Sequence, residues 1–230
     1  MSANNKNVLA ITIDGVIRDF FDQFDTVYRK KFIKNEGLVN MSQNFEVLPD
    51  EENEEEEFKR LEEKSNALIH LPITTYSLLN HYEFDTRELF EKFLYQDHTL
   101  EIFGSANQFP FSMQDANKLY TVKEELGLDD VILFCPGNQQ VITATMHFLV
   151  KNGCKIGHII FDNNPNKIWD YANIVITDNP IIMESKNESQ KIIKINKEYN
   201  VNSKADVSLN SLKEIELQKF ENFLKNNKYE

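Results

Sequence analysis

The residues with chemical potential in this chain fall just after short apolar runs. Thr12-Ile13-Asp14-Gly15 closes the run that begins at Val8, and Cys135 with Pro136-Gly137 closes Val131–Phe134. Lys167 precedes the segment Ile168–Ala172, and Thr177-Asp178-Asn179-Pro180 follows Ile174–Ile176. A carboxylate can serve as nucleophile, general base or ligand to a hard cation. An ammonium group and the N–H groups at a helix start favour anions. Brought to one edge, two acids, a cation and small polar groups could cradle a phosphate or a magnesium ion. The plainer reading of Asp14-Gly15 is a tight turn with Asp14 capping the next helix.

These residues need a scaffold that gathers them. Val8–Ile13 is a β-rich apolar run of the kind buried on both faces of a sheet. An amphipathic helix follows, with Ile17, Phe20, Phe21, Phe24, Val27, Tyr28 and Phe32 on one face and a stop at Lys34-Asn35-Glu36-Gly37. Val131–Cys135, His158–Phe161, Ile174–Ile176 and Lys191–Ile195 read as further strands, the last of them final in the sheet. Met113–Leu126, Val141–Val150, Ile168–Ala172 and Leu209–Leu224 read as helices. This alternation predicts an α/β fold, a doubly wound parallel sheet with right-handed crossovers whose strand carboxyl ends meet at one edge.

Residues 1–36 and 125–230 would make that core, and residues 37–124 a mainly helical, cap-like insertion. The insertion carries an acidic segment at 50–57, a charged helix over Phe58–Leu68 and a clearer helix over Asp85–Tyr95. In the latter, Asp85 or Thr86 is the cap, and Leu89, Phe90, Phe93 and Leu94 form the apolar face. Phe109-Pro110-Phe111 reads as a packed loop.

The order of these motifs resembles the haloacid dehalogenase (HAD) superfamily. In layout it is nearest to the 5′(3′)-deoxyribonucleotidase-like branch and its phage-encoded members. The family's first motif, strand-Asp-x-Asp-Gly, aligns with Thr12-Ile13-Asp14-Gly15-Val16. Its Thr or Ser after the second strand aligns with Cys135, its Lys with Lys167, and its acidic pair with Thr177-Asp178-Asn179-Pro180. Glu198-Tyr199-Asn200 resembles the turn after the branch's last strand. The resemblance covers roughly the core, and the insertion falls where the family carries its cap.

The departures define the expectation. The family's first Asp is the phosphorus-attacking, magnesium-binding nucleophile, and here it is Thr12, with no His or Lys nearby in sequence to act as its base. The second-motif hydroxyl becomes a thiol, and the acidic pair keeps one carboxylate. No catalytic residue is therefore assigned. The vestigial site is Thr12, Asp14, Cys135, Lys167 and Asp178, with Lys167 and Gly137 for a phosphate and Asp178 and Asp14 for a metal. No cofactor is expected, and Mg2+ only if a site is retained. Lys167 and Asp178 would persist as an ion pair or as surface charges.

Composition narrows the partners. A net charge of −12 argues against a nucleic-acid partner. No apolar run approaches the ~18 residues of a membrane span, and Met1–Lys6 lacks a signal-peptide layout, which implies a soluble protein made in a cytoplasm. Two cysteines make neither a disulfide framework nor a metal site, and the five histidines show no ligand spacing. The expected function is thus a catalytically degenerate HAD-like protein acting as a structural or protein-interaction module. The phage-like resemblance implies host cytoplasm or virion, with other proteins or a second copy as partners. The alternatives are a Mg-dependent phosphatase or 5′-nucleotidase and a phosphate- or nucleotide-sensing module.

Overall fold

A computed structural model describes residues 7–43, 73–226 and 229. Its strands are β1 (Val8–Thr12), β2 (Asp130–Pro136), β3 (Ile159–Asp162), β4 (Ile174–Thr177), β5 (Lys191–Ile195) and β6 (Val207–Leu209). They form one sheet in the order β3-β2-β1-β4-β5-β6, every neighbouring pair parallel. This is the α/β doubly wound fold the alternation predicts. Side chains alternate across a strand, so β1 and β2 send Leu9, Ile11, Val131 and Leu133 to one core and Ala10, Ile132 and Phe134 to the other. Both faces are covered, which is why these strands lack polar alternation. The chain winds outward from β1 in both directions, so the β1–β4 boundary is the switch point, where such sheets open a crevice.

The helices are α1 (Phe20–Gln43), α2 (Arg87–Lys92), α3 (Ser112–Thr121), α4 (Gln140–Lys151), α5 (Ile168–Tyr171), α6 (Pro180–Glu184) and α7 (Leu217–Asn226). Among the described residues no helix is long and apolar enough to cross a membrane. Thr86 caps α2 by accepting from the Leu89 N–H, and the chain continues through π-helical turns at Phe93–Asp97 and Leu100–Gly104. Within the 37–124 segment, α3 buries Met113, Ala116 and Leu119 in the same core cluster as β2. The acidic segment 50–57 and the helix expected over Phe58–Leu68 lie outside the described residues.

Several boundaries differ from the sequence reading. Helix α1 starts at Phe20, because residues 14–18 close a turn in which the Gly15 N–H donates to the Arg18 carbonyl (3.0 Å). Asp14 therefore caps nothing, and α1 runs through Gly37 to Gln43. Lys191–Ile195 is not the final strand: Val207 and Leu209 bury on either side of Ser208 and pair with β5, so the closing helix begins only at Leu217. Leu89 is exposed rather than on the packed face of α2, and Phe111 is 63% exposed rather than packed.

Candidate functional site

Two carboxylates meet at the switch point. Asp14 follows β1 and Asp178 follows β4, with Gly15 between them at φ +76°. A Cβ on Gly15 would lie 1.6 Å from Asp178 Oδ2, so the Asp178 carboxyl packs directly on the glycine backbone. Tyr199 donates a hydrogen bond to Asp178 Oδ2, and Asn200 Nδ2 donates to the Asp178 carbonyl (2.8 Å). Burial pushes Asp178 up to about 7, against the opposing pull of Tyr199 and Lys197.

Asp14 has a partner the motif reading missed. Arg18, four residues on, is fully buried, and its Nε donates to Asp14 Oδ1 at 2.6 Å. Its other nitrogens donate to the Phe103 carbonyl (2.7 Å), Thr145 Oγ1 (3.1 Å) and Cys135 Sγ (3.7 Å). The Phe103 and Phe148 rings flank the guanidinium at 5.0 and 5.2 Å from their centroids. Burial pulls Arg18 down, but Asp14 and then Cys135 outweigh it, so the guanidinium stays charged. The i, i+4 spacing of Asp14 and Arg18 was a visible signal, though an Arg beside Ile17 and Phe20 looks like the wet side of an amphipathic pattern.

The remaining expected residues scatter. Thr12 is 1% exposed, and its hydroxyl bonds to Thr177 Oγ1 (3.2 Å) and the Ile176 carbonyl (3.5 Å). Cys135 is buried beneath Arg18, and burial, then Asp14, push its thiol up to about 12, so no thiolate is available. The Gly137 N–H donates to the Asp162 carbonyl (3.0 Å), which occupies the amide a phosphate would need. Lys167 is exposed and pairs with Asp170 at 2.9 Å rather than with Asp178. The cation acting on Asp178 is Lys197, whose Nζ sits 3.7 Å from the Phe109 ring centroid and which burial pulls down despite Asp178 and Asp19.

Above Asp14 and Asp178 opens a cavity of about 240 Å³. Phe20, Phe21 and Phe103 form its wall, with ring centroids 5.2 Å apart for Phe20–Phe103 and 5.5 Å for Phe20–Phe21. Tyr76, Leu78, Phe90, Leu94 and Tyr95 cover it from the insertion. Neither Thr12 nor Lys167 lines it.

The magnesium that the family resemblance implies would meet donors that are already partly taken. Mg2+ takes near-octahedral oxygen from ionised carboxylates and water. Here Asp14 Oδ1 is held by Arg18, Asp178 Oδ2 by Tyr199, and the Thr12 hydroxyl by Thr177 and Ile176. Among the described residues no group of three or more His, Cys, Asp or Glu is placed to hold a metal ion.

Among solved structures, the chain is similar to a haloacid dehalogenase-like family hydrolase from Streptococcus pneumoniae, with 12% identity and a TM-score of 0.50 over 91% of this chain and 96% of that one. A haloacid dehalogenase-like hydrolase from Burkholderia xenovorans LB400 matches with 12% identity and TM-score 0.49, over 90% and 93% of the two chains. A HAD phosphatase from Thermococcus onnurineus matches with 13% identity and TM-score 0.43, over 98% and 100%. No protein-family model and no curated protein matches the sequence. With six parallel strands in this order and its carboxylates at the switch point, the chain has the fold of the haloacid dehalogenase-like hydrolases.

Proposed function

We propose that this chain is a HAD-fold protein that has lost aspartyl-phosphate chemistry and works as a protein-interaction or structural module. One observation carries the reading. The residue at the nucleophile position, Thr12, is sealed by hydrogen bonds to Thr177 and Ile176 and does not line the cavity. Among the described residues no basic side chain is bonded to its hydroxyl. A hydroxyl without a base and without access to substrate does not attack phosphorus.

The interaction role draws support from the insertion, where Leu79, Leu89, Leu100 and Phe111 each expose 40% or more of their surface. Phe111 also holds φ +62°, a left-handed conformation that costs a bulky residue ~1–3 kcal/mol and marks functional segments. The deoxyribonucleotidase-like branch, the phage source and a place in the virion belong to the same proposal and rest on the sequence resemblance alone.

A second reading, a hydrolase that activates water rather than a protein nucleophile, has its own support. Asp178 sits near 7, the range in which a carboxylate is an effective general base, and shares a cavity with Asp14. The named neighbours are hydrolases.

One assay separates the readings: hydrolysis of a nucleotide and phosphate-ester panel, with and without magnesium, by wild type, Thr12→Asp and Asp14→Asn. Silence from the wild type is the expected result, and activity in Thr12→Asp alone would show a pocket disabled at one side chain. Wild-type turnover abolished by Asp14→Asn overturns the proposal in favour of an enzyme.

A further inference from the structure

We propose that the cavity above Asp14 and Asp178 is a binding site for a compact organic cation, an ammonium group carried on a ring-sized apolar body. The inference is independent of whether the chain catalyses anything.

The charges point one way. Among the described residues, Asp14 and Asp178 are the charged ones lining the cavity, and no Lys or Arg lines it. Arg18 is sealed behind Asp14, with its nitrogens donating to Asp14, Phe103, Thr145 and Cys135, so it offers nothing to the cavity. Lys197 is turned against the Phe109 ring, and Lys167 is paired outside with Asp170. A phosphate ester would meet two carboxylates in the lining and, among the described residues, no lining cation.

The Asp14 side chain is 15% exposed, and among the described residues Oδ2 is bonded only by the weak donor Cys135 Sγ, at 3.9 Å. That leaves acceptor capacity for an N–H donor. Burial first, then Asp178 for Tyr76 and Asp14 for Tyr95, holds both hydroxyls above their usual range.

The walls suit the body of such a ligand. Phe21 contacts Tyr76 edge-on with centroids 5.9 Å apart, and Tyr95 stacks on Phe103 at 6.3 Å. With Phe20 they make a continuous aromatic surface, and aromatic faces attract cations. A cavity of roughly 150 Å³ holds a benzene ring. The 240 Å³ here accommodates a ring with a short ammonium arm.

The test is calorimetric titration of the full chain with phenethylammonium, 2-phenylethanol and phenyl phosphate, a charge series on one ring. Phenethylammonium is expected to bind saturably, at least about tenfold tighter than the alcohol, with no binding of the phosphate. At pH 8, where Asp178 with a value raised to about 7 is mostly ionised, Asp178→Asn should weaken the ammonium by about tenfold and leave the alcohol unchanged. Leu79→Trp, at the half-exposed rim, should block all binding without touching a carboxylate. Equal affinity for ammonium and alcohol, tighter binding of the phosphate, no saturable binding, or binding that survives Leu79→Trp would each overturn the proposal. Should Asp178→Asn fail to fold, the wild-type charge series and Leu79→Trp still decide it.

Discussion

Arg18 Nε lies 2.6 Å from Asp14 Oδ1, the arginine side chain wholly buried and the carboxylate 15% exposed. This asymmetry sets which partner can be removed. Asp14→Ala strands a charged guanidinium out of reach of water, at a cost of about 3–5 kcal/mol. Arg18→Met leaves a carboxylate that the cavity can hydrate, and its loss should be smaller. Urea unfolding of both variants checks this, and a larger loss in Arg18→Met would show that packing between Phe103 and Phe148, not the charge pair, dominates.

Gly15 and Gly127 share a left-handed backbone, φ +76° and +70°, but differ in surroundings. A Cβ at Gly127 meets nothing within 4 Å, whereas one at Gly15 collides with the Asp178 carboxyl. Gly127→Ala should therefore cost only the backbone strain, ~1–2 kcal/mol, and Gly15→Ala clearly more. In an Asp178→Ala background the shortened side chain vacates the contact, and Gly15→Ala should fall to the Gly127→Ala value. Equal costs for the two single variants would show that the close approach is not maintained in solution.

The readable parts of this fold are those fixed by local pattern. Val131–Cys135 and Ile174–Ile176 are apolar on both faces, so runs without alternation announce central parallel strands. β6 offers only Val207-Ser208-Leu209 in a polar stretch, and it is a strand because β5 presents an edge to it. The site divides likewise. Asp14 and Asp178 were legible from strand ends and motif order, and Tyr199-Asn200 from the resemblance. Arg18 was not, since burial among Phe103, Thr145, Phe148 and Cys135 joins residues more than 80 positions apart in sequence from it. Lys167 matches the family in its order along the chain, but its partner was not legible there: a local i, i+3 pairing with Asp170 takes its charge, in place of an ion pair with Asp178.

Asp178 makes stability depend on pH in a direction opposite to that of an ordinary paired carboxylate. Its folded value is raised to about 7 by burial, above the ~3.9 of an unfolded chain. Between those values the folded state holds a proton that the unfolded state has released, so this residue favours folding at acidic pH and loses that contribution as pH rises towards 7. The slope from this group is at most ~1.4 kcal/mol per pH unit. Other carboxylates shape the total curve in a chain of net charge −12, so the readout is a difference: unfolding free energy of wild type minus Asp178→Asn from pH 4.5 to 8. Asparagine keeps the shape against Gly15 and cannot ionise, so the difference should fall across the window and flatten above it. A difference that stays level, or rises with pH, would mean that Asp178 is ionised throughout and that Tyr199 and Lys197 outweigh its burial.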